Sequence, residues 1–219
     1  MIGCATVITN GWLDVVDLVV WLALLLGVGY VVAVFVVGPL WLRSRTGTSG
    51  WVASLGANST EKAASVLFLL GCTLELGNPV LVLAGIALPR ATFPVAVGVA
   101  GVAGSVISVV LALAGQHQMG RSWRTSIAPA HLAPLITAGP FRVVRNPTYT
   151  SLLANSLALG LLVPTPAALA AILVCLSALQ LQTRWVEEPH LRRVYGEPYR
   201  RYARRVGRFL PAIGRLPGS

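Results

Sequence analysis

Long apolar runs constrain this chain more than any other feature of its sequence. Three of them, at residues 18–42, 63–88 and 93–115, are interrupted mainly by glycine and proline. At about 1.5 Å per residue, each run is long enough as a helix to cross a hydrocarbon layer of roughly 30 Å. Only 11% of the 219 residues are charged, whereas a soluble domain carries about a quarter. The sequence therefore predicts an integral membrane protein.

The second half of the chain has two shorter apolar runs, at residues 150–163 and 167–181, on either side of Pro164-Thr165-Pro166. Unpaired backbone amides are costly in lipid, so a helical hairpin that turns at the two prolines is favoured. We therefore predict an all-α polytopic fold of about five transmembrane helices, in which helices four and five form the hairpin. Residues 1–219 make a single membrane domain, and residues 1–115 hold its first three helices.

The positive charge predicts the orientation. The net charge is +10, and all arginines and the lysine except Arg90 lie in loops 42–62 and 116–149 and in the tail from Arg184 onward. Five crossings place these segments on one side, which the positive-inside rule assigns to the cytoplasm, with the N-terminus outside. We expect the plasma (inner) membrane, with anionic lipid headgroups as partners. Nucleic acid is not expected as a partner, because the charge does not lie on a soluble basic domain.

The polar tail continues as helix. Gly196 and Pro198 predict that one helix stops and another starts. The apolar residues of the second helix follow at i, i+3, i+4 and i+7, and arginines take the opposite side. These apolar residues are Tyr199, Tyr202, Ala203 and Val206. The pattern predicts a C-terminal amphipathic helix on the membrane interface, or else a solvated helix packed on the protein's own loop.

Two polar segments flank the hairpin on the predicted cytoplasmic side. Asn146-Pro147 is a good N-cap and first-turn pair for the fourth helix, and Arg142 and Arg145 stand next to it. A carboxylate would be stabilised at this helix end, although a plain capped helix with snorkelling arginines explains the same residues. No Cys-x-x-Cys pair is present, so neither a disulfide framework nor a metal site is predicted.

The other segment contains adjacent carboxylates, Glu187 and Glu188, in a basic tail. They either pair with neighbouring arginines or bind a positively charged ligand group. Because the hairpin brings its two ends together, we expect one pocket with a helix end and arginine on one side and carboxylates on the other. Such a pocket suits a zwitterionic amino-acid moiety.

Several ordered motifs in residues 116–211 resemble the isoprenylcysteine carboxyl methyltransferase family. The related phospholipid N-methyltransferases share the paired glutamates. The motifs are Gly120-Arg121-Ser122-Trp123, Leu135-Ile136-Thr137-Ala138-Gly139-Pro140-Phe141, Arg145-Asn146-Pro147-Thr148-Tyr149, Glu187-Glu188 with Leu191, Tyr195-Gly196-Glu197-Pro198-Tyr199, Tyr202 and Arg205-Val206.

This resemblance implies an S-adenosylmethionine-dependent membrane methyltransferase that modifies a carboxylate, or another nucleophile, of a lipid-like or prenylated substrate. Arg145, Asn146 and Tyr149 are the implied catalytic residues. The implied cofactor pocket consists of Gly139, Pro140, Arg145, Asn146, Pro147, Tyr149, Glu187 and Glu188. Two positions depart from the family, since Asn146 stands where His is usual and Ser151 where Gly is frequent.

A carboxylate acceptor needs no general base, whereas an amine or a thiol must first lose a proton. The candidate bases for such an acceptor are His117, His131 and His190. Glu75 and Asn78 are polar residues inside the second apolar run. An ionisable group at membrane depth is a functional candidate, so these two residues either line a substrate passage or bond to a neighbouring helix.

Two other functions are compatible with this architecture. A membrane NADPH-dependent reductase has a similar layout, but the chain lacks a Gly-rich nucleotide fingerprint. A non-enzymatic scaffold or transporter would place polar residues along several helices. The resemblance favours the methyltransferase over both.

Overall fold

The computed structural model describes residues 3–47, 58–86, 89–120 and 134–217. The helices are α1 (Gly3–Val32), α2 (Gly38–Thr46), α3 (Ser59–Leu83), α4 (Val95–Met119), α5 (Pro147–Leu162), α6 (Pro166–Leu181) and α7 (Glu188–Arg205). Two π-helical segments, Ala33–Val37 and Gln182–Glu187, join α1 to α2 and α6 to α7. Within the described residues no strand forms, and Val144 and Gly207 make an isolated parallel bridge. The all-α prediction is confirmed.

The chain is a polytopic membrane protein. Among the described residues, four helical stretches are long and apolar enough to cross a membrane: Asp17–Thr46, Ser59–Leu83, Val95–Met119 and Pro166–Arg205. The predicted fourth helix, α5, has 16 residues and is about 24 Å long. It is shorter than a hydrocarbon layer of roughly 30 Å, so the predicted five crossings correspond to four full-length spans and this shorter helix.

The predicted hairpin forms between α5 and α6. Pro166 is the first residue of α6, and the Thr165 side chain accepts a hydrogen bond from the Ala168 amide. Asn78 of α3 secures the turn, because its Nδ2 donates to the Val163 carbonyl at 3.0 Å and its Oδ1 accepts from Thr165 at 2.5 Å. The turn thus satisfies its polar groups through a side chain of a neighbouring helix.

Small residues let the helices pair closely. The most extensive contacts join α4 to α5 and α3 to α6. A Cβ on Gly101 of α4 would lie 2.9 Å from the Ala158 carbonyl oxygen of α5, and a Cβ on Gly71 of α3 would lie 2.4 Å from Cys175 Sγ of α6. Gly98, one turn earlier on α4, differs, because a Cβ there would meet no atom within 4 Å.

This difference gives a matched pair of variants. We expect Gly101→Leu to lower the free energy of unfolding by about 2 kcal/mol, because the new side chain pushes α5 away from α4. Gly98→Leu makes the same change on the same helix and should have little effect. Unfolding in mixed micelles measures both, and equal losses would show that α4 and α5 do not pack through Gly101.

The α7 helix differs in part from its prediction. Gly196 is kinked with φ +56°, as the predicted stop and restart requires. However, Tyr199 and Ala203 on the apolar side are 2% and 0% exposed, and the Tyr202 hydroxyl donates to the Phe141 carbonyl at 2.7 Å. The expectation that this side lies on the membrane interface is wrong for these residues. It covers the segment that precedes α5, as the alternative of a helix packed on the protein's own loop predicts.

Candidate active site at the ends of the α5–α6 hairpin

The first turn of α5 and the π-helical segment that follows α6 meet at the open end of the hairpin, as the hairpin predicts. The Tyr149 hydroxyl donates a hydrogen bond to Oε1 of Glu187. A phenol can donate and an ionised carboxylate can only accept, so Tyr149 is the donor in this contact. We call Arg145, Tyr149, Glu187 and Glu188 the hairpin site.

Glu188 is held by arginines. Its Oε1 lies 3.1 Å from Arg145 Nη1 and 2.7 Å from Arg208 Nε, and Arg208 Nη2 lies 3.1 Å from its Oε2. Arg192 adds a contact of 3.4 Å from one turn further along α7. Glu188, Arg145 and Arg208 are only 2%, 5% and 8% exposed. The second glutamate of the pair is thus a buried ion-pair centre, and the alternative that it pairs with arginines describes it correctly.

Arg145 joins the hairpin site to the tail. Its Nη1 donates to the Tyr199 hydroxyl at 3.2 Å and its Nη2 to the Gly214 carbonyl at 2.6 Å. The third guanidinium nitrogen, Nε, is buried and has no partner among the described residues. A buried N–H without an acceptor is rare in proteins, so this donor is a candidate contact for a ligand.

Asn146 and Pro147 occupy the predicted end of α5, but the Asn146 side chain does not cap the helix. The Asn146 backbone N–H and Nδ2 both donate to the Arg208 carbonyl, at 3.2 and 3.3 Å. Pro147 is buried as the first residue of α5, and a Cβ on Gly115 of α4 would lie 3.4 Å from it. The predicted N-cap and first-turn positions are therefore confirmed, but the Asn146 side chain makes no capping hydrogen bond and bonds to the tail instead.

Gly139 and Pro140 begin a 3₁₀ turn that covers Gly139–Arg142. Gly139 has φ +58°, and a Cβ there would lie 2.8 Å from Gln118 Oε1 of α4. A side chain would thus be strained and crowded at this position. The turn connects α4 to the segment before α5, and the role of Gly139 and Pro140 in cofactor binding stays a prediction.

The tail closes over the hairpin site through residues that the sequence reasoning missed. Phe209 packs edge-to-face on Tyr149 with ring centroids 6.3 Å apart, and the Thr150 hydroxyl donates to the Phe209 carbonyl at 2.8 Å. With Arg208 and Gly214, this segment supplies contacts to both halves of the site. The available signal was the resemblance itself, which extends to residue 211.

Residues 94–198 match the family model described as phospholipid methyltransferase. This part of the chain is therefore similar to a family of membrane methyltransferases. The match covers nearly half of the 219 residues and includes every residue of the hairpin site. The predicted similarity to membrane methyltransferases is confirmed, and the isoprenylcysteine carboxyl methyltransferase-like type stays a prediction. No curated protein matches the chain.

Membrane methyltransferases of this family use S-adenosylmethionine in general, and the hairpin site fits its amino-acid moiety. Glu187 offers a carboxylate whose described hydrogen bond from Tyr149 leaves other lone pairs. The unpartnered Nε of Arg145 is a donor for a carboxylate, and the N-terminal end of α5 lies in the same segment. Cationic and anionic groups of a zwitterion would thus each find a complementary group.

The other predicted residues lie elsewhere. Glu75, near the middle of α3, accepts hydrogen bonds from Asn155 at 3.0 Å and from Ser156, both on α5. A small cavity lies beside Glu75 and Asn78 and is otherwise lined mostly by apolar and small residues. These bonds fit the structural alternative, and the substrate-passage role stays a prediction. Of the candidate bases, His117 is exposed and its ring lies 5.3 Å from that of Trp41. His190 lies on α7, and His131 falls outside the described residues.

Proposed function

We propose that the chain transfers a methyl group from S-adenosylmethionine to a lipid-like acceptor at the hairpin site. The contact between Tyr149 and Glu187 supports this proposal most directly, because it joins the two family motifs at the open end of the hairpin. The bound cofactor would supply an electrophilic methyl group on a sulfonium. Positioning of the two reactants accounts for much of the catalysis in such a displacement.

The two glutamates take different roles in this proposal. Glu187 binds the ammonium group of the cofactor, and Tyr149 orients the Glu187 carboxylate. Arg145 and the N-terminal end of α5 bind the cofactor's carboxylate. Glu188, which the arginines already neutralise, positions Arg145 and the tail. Charge-assisted hydrogen bonds of this kind are among the strong ones in proteins.

The acceptor in this proposal is a carboxylate, or another nucleophile, of a lipid-like or prenylated molecule. Asn146 replaces the usual histidine of the family and its amide is bonded to the tail, so it does not transfer a proton. A carboxylate acceptor has no proton to lose before it reacts. A site closed to water favours the reaction of an anion and a cation to neutral products. We place the site on the cytoplasmic side of the plasma (inner) membrane, since the arginine-rich segments share that end.

Ligand-dependent stability separates this function from its alternatives. We expect S-adenosylhomocysteine at roughly 100-fold excess over its Kd to raise the Tm of the detergent-solubilised protein by about 5 °C or more. NADPH should leave the Tm unchanged. A shift with NADPH alone would support a reductase, and no shift with either ligand would support a scaffold or transporter.

The assignment of Glu187 has its own test. We expect Glu187→Gln to weaken S-adenosylhomocysteine binding about 10- to 100-fold, because a charged hydrogen bond to the ammonium group is lost. Gln still accepts a hydrogen bond from Tyr149, so the Tm without ligand should change little. Calorimetric titration measures the affinity. Glu197→Gln is the matched control, since Glu197 is exposed on α7 and pairs only loosely, at 4.0 and 3.6 Å, with Arg200 and Arg204. Equal affinities for the two variants would refute the assignment.

A further inference from the structure

Three neighbouring side chains lie where the C-terminal ends of α2 and α4 come together. The Arg45 guanidinium carbon lies 5.1 Å from the ring centroid of Trp41, and the His117 ring centroid lies 5.3 Å from that of Trp41. Trp41 is 40% exposed, and Arg45 and His117 are exposed as well. We call these three residues the Trp41 cluster. The hairpin site does not include any of them.

The fold fixes the Trp41 cluster in place. The π-helical segment Ala33–Val37 interrupts the regular bonding of the first helix, and Gln116 of α4 donates its Nε2 to the Val34 carbonyl at 2.8 Å. Gly38 lies directly against this side chain, since a Cβ there would be 2.1 Å from Gln116 Oε1. Because α2 is held against α4 one turn before Trp41, the ring meets His117 without rearrangement.

The chemistry of the Trp41 cluster suits an oxyanion. A guanidinium that stacks on an aromatic ring by its face keeps its N–H groups available at the edge. The His117 imidazole, 5.3 Å from the ring of Trp41, adds a further donor. Exposed Arg43 raises the local positive charge. A phosphate group is an anion that such planar donors bind well, often through two hydrogen bonds.

The surface next to the cluster is apolar. Val37, one turn before Trp41, is 53% exposed, and Val110, two turns before His117, is 62% exposed. Both residues belong to candidate membrane spans. A molecule that fits both surfaces has a phosphate at one end and hydrocarbon at the other, which describes a phospholipid. Trp and Arg are also the residues expected at headgroup level.

We propose that the Trp41 cluster binds the phosphate of an anionic phospholipid whose acyl chains lie along the α1–α4 seam. The site goes beyond the proposed methyl transfer and does not depend on it. A cluster that serves only to neutralise the two helix C-termini would contain the same cations, but it would not distinguish one lipid from another.

Thermal unfolding of the full chain in neutral detergent tests the proposal. We expect dioleoylphosphatidylglycerol at about ten times its Kd to raise the Tm by about 4 °C, and dioleoylphosphatidylcholine to raise it by less than half as much. Arg45→Gln and His117→Gln should each reduce the phosphatidylglycerol shift. Arg201→Gln, which removes an exposed arginine from α7, should retain it.

Each of the following outcomes would overturn the proposal. Equal shifts with both lipids would show that the headgroup is not recognised. A phosphatidylglycerol shift that is unchanged in Arg45→Gln, or reduced as much in Arg201→Gln, would place recognition elsewhere. The same shift with inorganic phosphate would make free phosphate the ligand. If Arg45→Gln does not fold, native mass spectrometry of bound phosphatidylglycerol in Arg45→Lys replaces it, with reduced occupancy expected and unchanged occupancy contradicting the proposal.

Discussion

Changing Glu188 to Gln is expected to lower the free energy of unfolding by about 3–5 kcal/mol. The Glu188 side chain is 3% exposed, and it faces Arg145 and Arg208 side chains that are 2% and 10% exposed. The variant leaves both guanidinium groups buried without a counter-charge. Removal of one member of a buried ion pair costs more than the pair itself contributes, because the remaining charge is desolvated and unpaired.

Unfolding by denaturing detergent in mixed micelles measures this loss. Glu197→Gln removes the same charge from an exposed position on α7 and should cost less than about 1 kcal/mol. The double variant Glu188→Gln, Arg208→Gln should lose less than the sum of its single variants, since each removes a partner of the other. Strict additivity, or a Glu188→Gln loss no larger than that of Glu197→Gln, would show that the ion pairs do not stabilise the fold.

The hairpin and the meeting of its two ends were predictable because they follow from local rules. The apolar runs set the helices, and Pro164-Thr165-Pro166 set the turn. A hairpin of two helices of 16 residues each necessarily brings the start of one beside the end of the other. Glu187 lies six residues beyond the end of α6, so its contact with Tyr149 also depends on the π-helical segment Gln182–Glu187 that continues the helix.

The division of roles between the two glutamates was not predictable from the sequence. Glu188 lies 20 residues before Arg208, and their contact depends on how the tail returns to the hairpin. That return is fixed by tertiary backbone contacts, such as the Arg145 N–H to the Gly207 carbonyl at 2.8 Å. The same return of the tail brings the Arg208 carbonyl beside the Asn146 side chain, which bonds to it and not to the first turn of α5. Capping rules describe an isolated helix, and they do not include a backbone carbonyl from another part of the chain.

The α7 helix shows why periodicity alone does not identify a partner surface. The i, i+3, i+4, i+7 pattern correctly identified the apolar side, but a membrane and a protein surface bury such a side equally well. Tyr202 bonds to the Phe141 carbonyl, a contact that joins residues 61 positions apart. Polar atoms within an apolar stripe favour packing on protein, because a protein surface offers them acceptors that lipid chains lack.

Changing Asn155 to Leu is expected to destabilise the protein by about 2–3 kcal/mol. Asn155 is 2% exposed and connects three helices: its Oδ1 accepts from Ser105 of α4 at 2.8 Å, and its Nδ2 donates to Glu75 of α3 at 3.0 Å. A second serine of α4, Ser108, lies 3.3 Å from the same oxygen. Each interhelical hydrogen bond in a membrane contributes about 0.6 kcal/mol on average, and the groups left without a partner add to the loss.

Two controls separate this network from a general loss of polarity. Ser177→Ala removes an exposed hydroxyl that bonds only within its own helix, to the Leu173 carbonyl at 2.8 Å, and should be nearly neutral. Glu75→Gln keeps an acceptor for Asn155 and should cost less than Asn155→Leu. If Asn155→Leu is as stable as Ser177→Ala, the network does not hold the helices together. If Glu75→Gln retains stability but lowers turnover, Glu75 serves the substrate as well as the fold, which would support its predicted place in the substrate passage.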